Sequence, residues 1–364
     1  MRLGVAAALV DGRLVPGDVE IADGRIAGLA LSSPNGGGGI AVPGFVDVQV
    51  NGFGGVDFLE AGEDGYHRAG EALLETGVTS FLPTLITAPE DELLLALAEV
   101  PADSGGPRIL GVHLEGPFLA ARRLGTHRAA GRRDPDVALL ERLLAAGPVR
   151  MMTLAPELPG ALELIDVLVA RGVTVSCGHS DATAEQANTA FDRGARMVTH
   201  LFNAMRPFNH REPGIVGAAL VRDDVFVQMI LDGVHLAPLT AALVWRAAAG
   251  RIALVTDAVA AASAAGGPYS LGSVELQVQD GAVRAPEGML AGSLLTMIDA
   301  VRNLHALGVP LEDALNAASA VPARALGIPD AGRLDIGLPA DIVVLDDNLE
   351  VDGVFIGGEA RVVA

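Results

Sequence analysis

Three side chains in this sequence could share a metal ion. His179 follows the β-type run Val173–Cys177, His200 sits near the end of the run Met197–Leu201, and Glu115 closes a third run in His113-Leu114-Glu115-Gly116-Pro117. A helix separates the two histidine runs, because Thr183 followed by Gln186 is a capping-box pattern and Gly194 is a C′ stop. The unit reads strand, His, helix, strand, His. That is βαβ logic, with both imidazoles at or near the C-terminal ends of parallel strands, the edge where α/β barrels and sheets carry their chemistry. A carboxylate and two neutral imidazoles suit Zn²⁺, and also Fe²⁺ or Mn²⁺. Three protein ligands leave a position open for water, and the ion brings hydroxide within reach near neutral pH. One divalent ion per subunit, Zn²⁺ first, is expected. Asp257, in Thr256-Asp257 at the end of another run, is the natural proton shuttle: it takes a proton from that water and later delivers it to a leaving group. A lone strand histidine is more often a packed core residue, and a lone aspartate more often a salt-bridge partner. The four together at strand ends carry the reading.

Positioning them takes a repeated strand–helix frame. Eight candidate strands can be placed: Gly44–Val50, Val78–Leu85, Arg108–Glu115, Val149–Leu154, Val173–His179, Met197–Leu201, Val225–Leu231 and Ile252–Asp257. Amphipathic or Ala/Leu-rich helices fill most gaps, among them Tyr66–Thr76, Pro89–Val100, Val137–Ala146, Gly160–Arg171 and one from Pro238 to a stop at Gly250. Eight βα units predict a closed (β/α)₈ TIM-type barrel, an α/β fold. Val274–Val283 reads as a hairpin after strand eight, followed by helices over Ser293–Leu307 and Leu311–Ala318. Residues 1–40 read as short strands with hairpin signals at Asp11-Gly12 and Asp23-Gly24, and Ala340–Asp346 and Val354–Val363 are strand-like. The two ends are expected to form one small β-domain, 1–41 with 332–364, around a catalytic barrel at 42–331. The Gly36–Gly39 run reads as a flexible loop.

Composition excludes several classes. The chain has 364 residues, half of them hydrophobic, enough for a large core. Its net charge of −20 argues against nucleic acid, which needs a basic footprint. Apolar runs are broken well before membrane-spanning length, and Met1–Val10 reads as a strand and not as a signal peptide. The single cysteine, Cys177, excludes an intrachain disulfide and suits a cytoplasmic location. It reads as a buried strand residue. His113 reads as a buttress of the Glu115 strand, His67 and His305 as structural helix residues, and Arg206 and His210 as a solvated loop.

The ordered motifs PGFVDVQVNG, HLEGPF, GHSDAT, THLFNAM, REPG, DGVH, LVTDA and GSLLTM, from Pro43 through the late GRLDIGLPADIVVLD segment, cover nearly the whole chain. The sequence thereby resembles the N-acetylglucosamine-6-phosphate deacetylases, a family of the metal-dependent amidohydrolase superfamily. The resemblance implies a (β/α)₈ barrel flanked by a β-sandwich built from both chain ends. It implies Glu115, His179 and His200 as metal ligands and Asp257 as general base and acid. His127 would bind and polarise the acetyl carbonyl. Asn203, Ala204, Arg211 and His235 would hold an amino-sugar phosphate, with Arg211 open to being supplied by the other subunit of a homodimer. The implied reaction is hydrolysis of the N-acetyl group of N-acetylglucosamine-6-phosphate to glucosamine-6-phosphate and acetate, in amino-sugar catabolism or cell-wall recycling.

Two departures matter. Many amidohydrolases carry His-x-His on strand one, supplying a second metal, where this chain has Gln49 and Asn51; amides ligate transition metals poorly, so one ion is expected. Gln49 and Asn51 then mark a vestigial second site or hydrogen-bond around the first. Val259-Ala260-Ala261 after TDA bears on fine substrate selectivity. The rival readings are the galacto isomer of the substrate, another amidohydrolase activity on a cyclic amide or dipeptide, and a catalytically silent barrel that binds a sugar phosphate.

Overall fold

Runs rich in Val, Ile, Leu and Phe form strands buried on both faces, and the barrel is built from such runs, with a few buried polar residues such as Asp47, Gln49, His113 and Gln228 among them. The computed structural model describes residues 1–33 and 37–363, so Gly36 of the glycine run lies outside the described residues. Among the described residues, eight barrel strands follow in order: Phe45–Val50, Val78–Ile86, Val112–Glu115, Val149–Leu154, Thr174–Cys177, Met197–Val198, Phe226–Met229 and Ile252–Leu254. Each pairs in parallel with the next, from Phe45↔Val78 through Met229↔Leu254. The ring is joined at its upper rim by backbone hydrogen bonds between the ends of strands one and eight, Asp257 N–H to the Gln49 carbonyl (2.9 Å) and Asn51 N–H to the Ala258 carbonyl (2.8 Å). All six residues of strand one and all nine of strand two are buried.

The helices form where the sequence places them, with shifted ends. Val137–Ala146 and Leu311–Ala318 match the expected spans, and the Thr183–Gln186 capping box opens Ala184–Asp192. The helix expected from Ser293 starts at Met297, because the Thr296 hydroxyl accepts from Asp299 N–H and caps it there. Strand six is shorter than expected, ending at Val198: His200 has φ +27, which bends the chain out of the ladder. The expected hairpin after strand eight is present as Val274–Gln279 with Ala282–Arg284, and Tyr269–Leu271 joins it as a third strand.

Strands from both chain ends share one sheet. Its order is Arg13–Pro16, Ala7–Val10, Ile40–Pro43, Ile342–Leu345, Val351–Ile356, Glu359–Val363. The hairpin Asp18–Ala22 with Arg25–Leu31 packs on it through Val5, Val19, Ile21, Ile26, Ile342 and Val344. Asp11, Gly12, Asp23 and Gly24 all have positive φ, the conformation a two-residue type I′ turn demands. No helix among the described residues is long and apolar enough to cross a membrane.

Candidate active site

The strand ends converge on one point. His179 Nε2 and His200 Nε2 are 3.1 Å apart, and each lies 3.0 Å from Glu115 Oε1. All three side chains are buried. His179 Nδ1 lies 2.8 Å from the Arg123 carbonyl. A carbonyl only accepts, so Nδ1 carries the proton and Nε2 offers its lone pair to the convergence point. His200 Nδ1 has no partner among the described residues. The donor set fits a cation: a tetrahedral ion with bonds of about 2.0–2.1 Å separates its ligand atoms by roughly 3.3 Å, close to the spacing seen. Burial pushes the Glu115 carboxyl up, but the imidazoles of His179 and His200 packed against its Oε1 favour the carboxylate and hold the group well below the usual range.

Several of these residues are held in strained backbone. His179 (φ +47), His200 (φ +27), Ala204 (φ +50) and Asp257 (φ +49) all lie in the left-handed region without being glycine. Such conformations cost of order 1–3 kcal/mol each and persist where the surroundings over-determine them, commonly at functional sites. Gly178 permits the approach beneath His179, since a Cβ there would stand 2.7 Å from Thr199 Cβ and 3.0 Å from Thr153 Cγ2.

Two further groups flank the triad. His127 Nδ1 accepts from Thr87 N–H (3.2 Å), so in the neutral ring the proton sits on Nε2. Burial, with the neighbouring His179, pushes His127 down to about 3, so the ring is neutral at working pH and Nε2–H is a donor. On the other side, Asp257 Oδ1 accepts from Gln49 Nε2 (3.1 Å) and Asn51 Nδ2 (2.8 Å), while Gln49 Nε2 also donates to Glu115 Oε1 (3.2 Å). The amide nitrogens, which do not ligate metals, thus face the carboxylates. Burial and the charge of Glu115 push the Asp257 carboxyl up.

A cavity of about 270 Å³ opens over this group. Its walls include Asn51, Glu115, His127, His179, His200, Asn203, Ala204, His235 and Asp257. Asp232 orients His235, accepting Nδ1–H at 2.7 Å and the His235 backbone N–H at 2.8 Å. Arg211 is exposed, does not line the cavity, and forms no ion pair among the described residues. Arg206, expected as a solvated loop residue, instead donates to the Asp181 carbonyl (2.8 Å) and carboxylate (3.3 Å). His113 is fully buried between Thr84 (3.1 Å) and Thr153 (2.8 Å), and burial pushes it down to about 4. Sequence reasoning missed part of the lining, Leu271, Met289 and Leu290, which flank the hairpin after strand eight and have no local signal. It also missed Asp232, whose three-residue spacing from His235 in DGVH was legible.

Comparison with known proteins gives the same picture. Residues 40–361 match the model of the amidohydrolase family. The human N-acetylglucosamine-6-phosphate deacetylase is 44% identical over 344 residues, covering 89% of this chain and 83% of the relative. An N-acetylgalactosamine-6-phosphate deacetylase of Escherichia coli O157:H7 is 37% identical, covering 96% of each chain. The Mycobacterium smegmatis N-acetyl-D-glucosamine-6-phosphate deacetylase, solved in complex with N-acetyl-D-glucosamine-6-phosphate, superposes with a TM-score of 0.94 at 39% identity, over 100% of this chain and 99% of that one.

Proposed function

The chain belongs to the amidohydrolase family, among its N-acetylglucosamine-6-phosphate deacetylases, and we propose that it works with one divalent ion held by Glu115, His179 and His200. It is a hydrolase of an amide C–N bond: N-acetylglucosamine-6-phosphate and water give glucosamine-6-phosphate and acetate. The observation that carries the reading is the placement of three ligand atoms within 3.1 Å of one another, between a neutral imidazole donor and a buried carboxylate.

Zn²⁺ suits the ligand set best, and Fe²⁺ or Mn²⁺ would also be accepted. When bound, the ion supplies a Lewis acid and lowers the pKa of a water to near neutrality. His127 Nε2–H is the hydrogen bond for the acetyl oxygen, strongest when that oxygen gains negative charge in the tetrahedral intermediate. Asp257 has one oxygen occupied by two amide donors, so the other is free for proton traffic. It takes a proton from the attacking water and passes it to the amine as the C–N bond breaks.

Asn203, Ala204 and His235 hold the sugar from the cavity wall. The phosphate needs a cation, the sequence contains no lysine, and among the described residues no arginine lines the cavity. Arg211 of a partner subunit supplies it. Phe208 (53%), Val221 (80%), Leu239 (86%) and Leu243 (59%) are exposed apolar side chains of the kind a homodimer interface would cover.

A second reading, the galacto substrate, rests on the 37% identity to the Escherichia coli enzyme; the 44% identity to the human enzyme puts the gluco substrate first. Acetate release from N-acetylglucosamine-6-phosphate, its galacto isomer and unphosphorylated N-acetylglucosamine tests both. Preference for the phosphorylated gluco sugar supports the reading. Equal turnover of the unphosphorylated sugar removes the phosphate clamp, and turnover of the galacto isomer alone moves the assignment.

A further inference from the structure

His179 keeps its left-handed backbone and its ring tautomer through one short segment. Ala120 N–H donates to the His179 carbonyl at 3.0 Å, and His179 Nδ1–H donates to the Arg123 carbonyl at 2.8 Å. The segment between them is a single 3-10 turn, Ala121–Arg123, with no side-chain cap. What fastens it is Asp181, two residues beyond His179. Asp181 Oδ1 accepts from Arg123 Nε (2.9 Å) and Nη2 (2.6 Å).

Asp181 is itself held from two more loops. Arg206, after strand six, donates to its carbonyl and to its other carboxylate oxygen. Glu157, after strand four, accepts from Asp181 N–H at 2.5 Å and from the Ser180 hydroxyl at 2.8 Å. The loops after strands three, four, five and six therefore meet at one residue, Arg123 and Arg206 on its carboxylate and Glu157 on its backbone N–H.

We propose that Asp181 is a positioning residue for His179: by fixing Arg123 it holds the carbonyl that keeps His179 Nε2 bare and aimed at Glu115 and His200. The inference rests on the metal reading of that triad. The Arg123 and Asp181 side chains are 28% and 24% exposed, and ion pairs so placed add little to folding. Their contribution is geometric. Partners that orient a metal-bound histidine typically change metal affinity by about 10–100-fold.

The test is a Zn²⁺ titration of the full-length, metal-stripped protein in competition with a chelating dye, for wild type, Asp181→Asn, Arg123→Ala and the double variant. Thermal melting of the metal-stripped forms is measured alongside. Each single change should lower Zn²⁺ affinity about 10–100-fold while the stripped proteins melt near wild type, and the double variant should be no worse than either single. Arg123→Ala, which keeps the carbonyl and removes only its anchor, decides the matter if Asp181→Asn fails to fold. Wild-type affinity in the folded variants, or affinity losses that add in the double variant, overturns the clamp alone. No Zn²⁺ uptake by the wild-type protein overturns the metal reading, and this inference with it.

Discussion

Replacing Asp257 with asparagine should separate activity from stability in opposite directions. The side chain is buried, and one oxygen accepts from Gln49 Nε2 at 3.1 Å and Asn51 Nδ2 at 2.8 Å. An asparagine with its oxygen in that position keeps both hydrogen bonds and the same shape. Its amide nitrogen then replaces the oxygen that carries the proton, so both the base step and the acid step are lost. Positioned general acid–base catalysis contributes about 10²–10⁴-fold. The expected fall in kcat is therefore about 10²–10⁴-fold, or roughly 3–5 kcal/mol of barrier. Folding responds the other way. Burial and the Glu115 charge both oppose ionisation of Asp257, so the neutral amide relieves an unfavourable buried charge. The melting temperature of Asp257→Asn should equal or exceed that of wild type. The assay is acetate release under saturating substrate, with a thermal melt of each protein. Turnover within about tenfold of wild type would refute the proton-shuttle role. A melting temperature several degrees lower would refute the hydrogen-bond arrangement from which the argument starts.

Three other outcomes are expected. His127→Leu should lower kcat by about 10²–10³-fold with a smaller change in KM, because the lost donor acts on charge that develops in the transition state; steady-state kinetics checks the split. Burial raises Asp47 from its ordinary 3.8 to about 7, against the opposing hydrogen bond from the Thr256 hydroxyl (2.5 Å), so the fold favours the protonated acid. That contribution is fully present below pH 4 and is lost as pH rises through about 7, roughly 4 kcal/mol across the window. Asp47→Asn should therefore gain on wild type in melting temperature between pH 5 and 8.5, and an unchanged gap would contradict the burial argument. Mixing Arg211→Ala with Asp257→Asn, each nearly inactive alone, should restore about a quarter of wild-type activity if subunits exchange freely, since one mixed dimer site carries both native residues. No recovery in a mixture shown to contain mixed dimers would place Arg211 in its own subunit's site.

The frame was legible because its signals are local. The buried runs from Phe45 to Leu254 announce strands by composition, and the capping box at Thr183 and the stop at Gly194 announce the helix between the two histidines. The polar residues at strand ends, Glu115, His179, His200 and Asp257, stand out because together they make a ligand set and a proton carrier, which no one of them does alone. What was hidden depends on contacts distant in sequence. Thr87 N–H sets the His127 tautomer from 40 residues away, and the cavity lining at Met289 and Leu290 follows a hairpin whose composition says nothing of its destination. Arg206 looked solvated because its partner Asp181 lies 25 residues earlier on another loop. His200 lay beyond its strand because backbone conformation, which residue type alone does not show, ended the ladder at Val198.

The most direct test of the central claim is a metal titration of the chelator-stripped enzyme, following acetate release from N-acetylglucosamine-6-phosphate as Zn²⁺ is added. One ion on Glu115, His179 and His200 predicts no turnover at the start, a linear rise and a plateau at one equivalent per chain. A plateau at two equivalents would return Gln49 and Asn51 to a metal-ligand role. Full turnover in the stripped enzyme would contradict the account of this site.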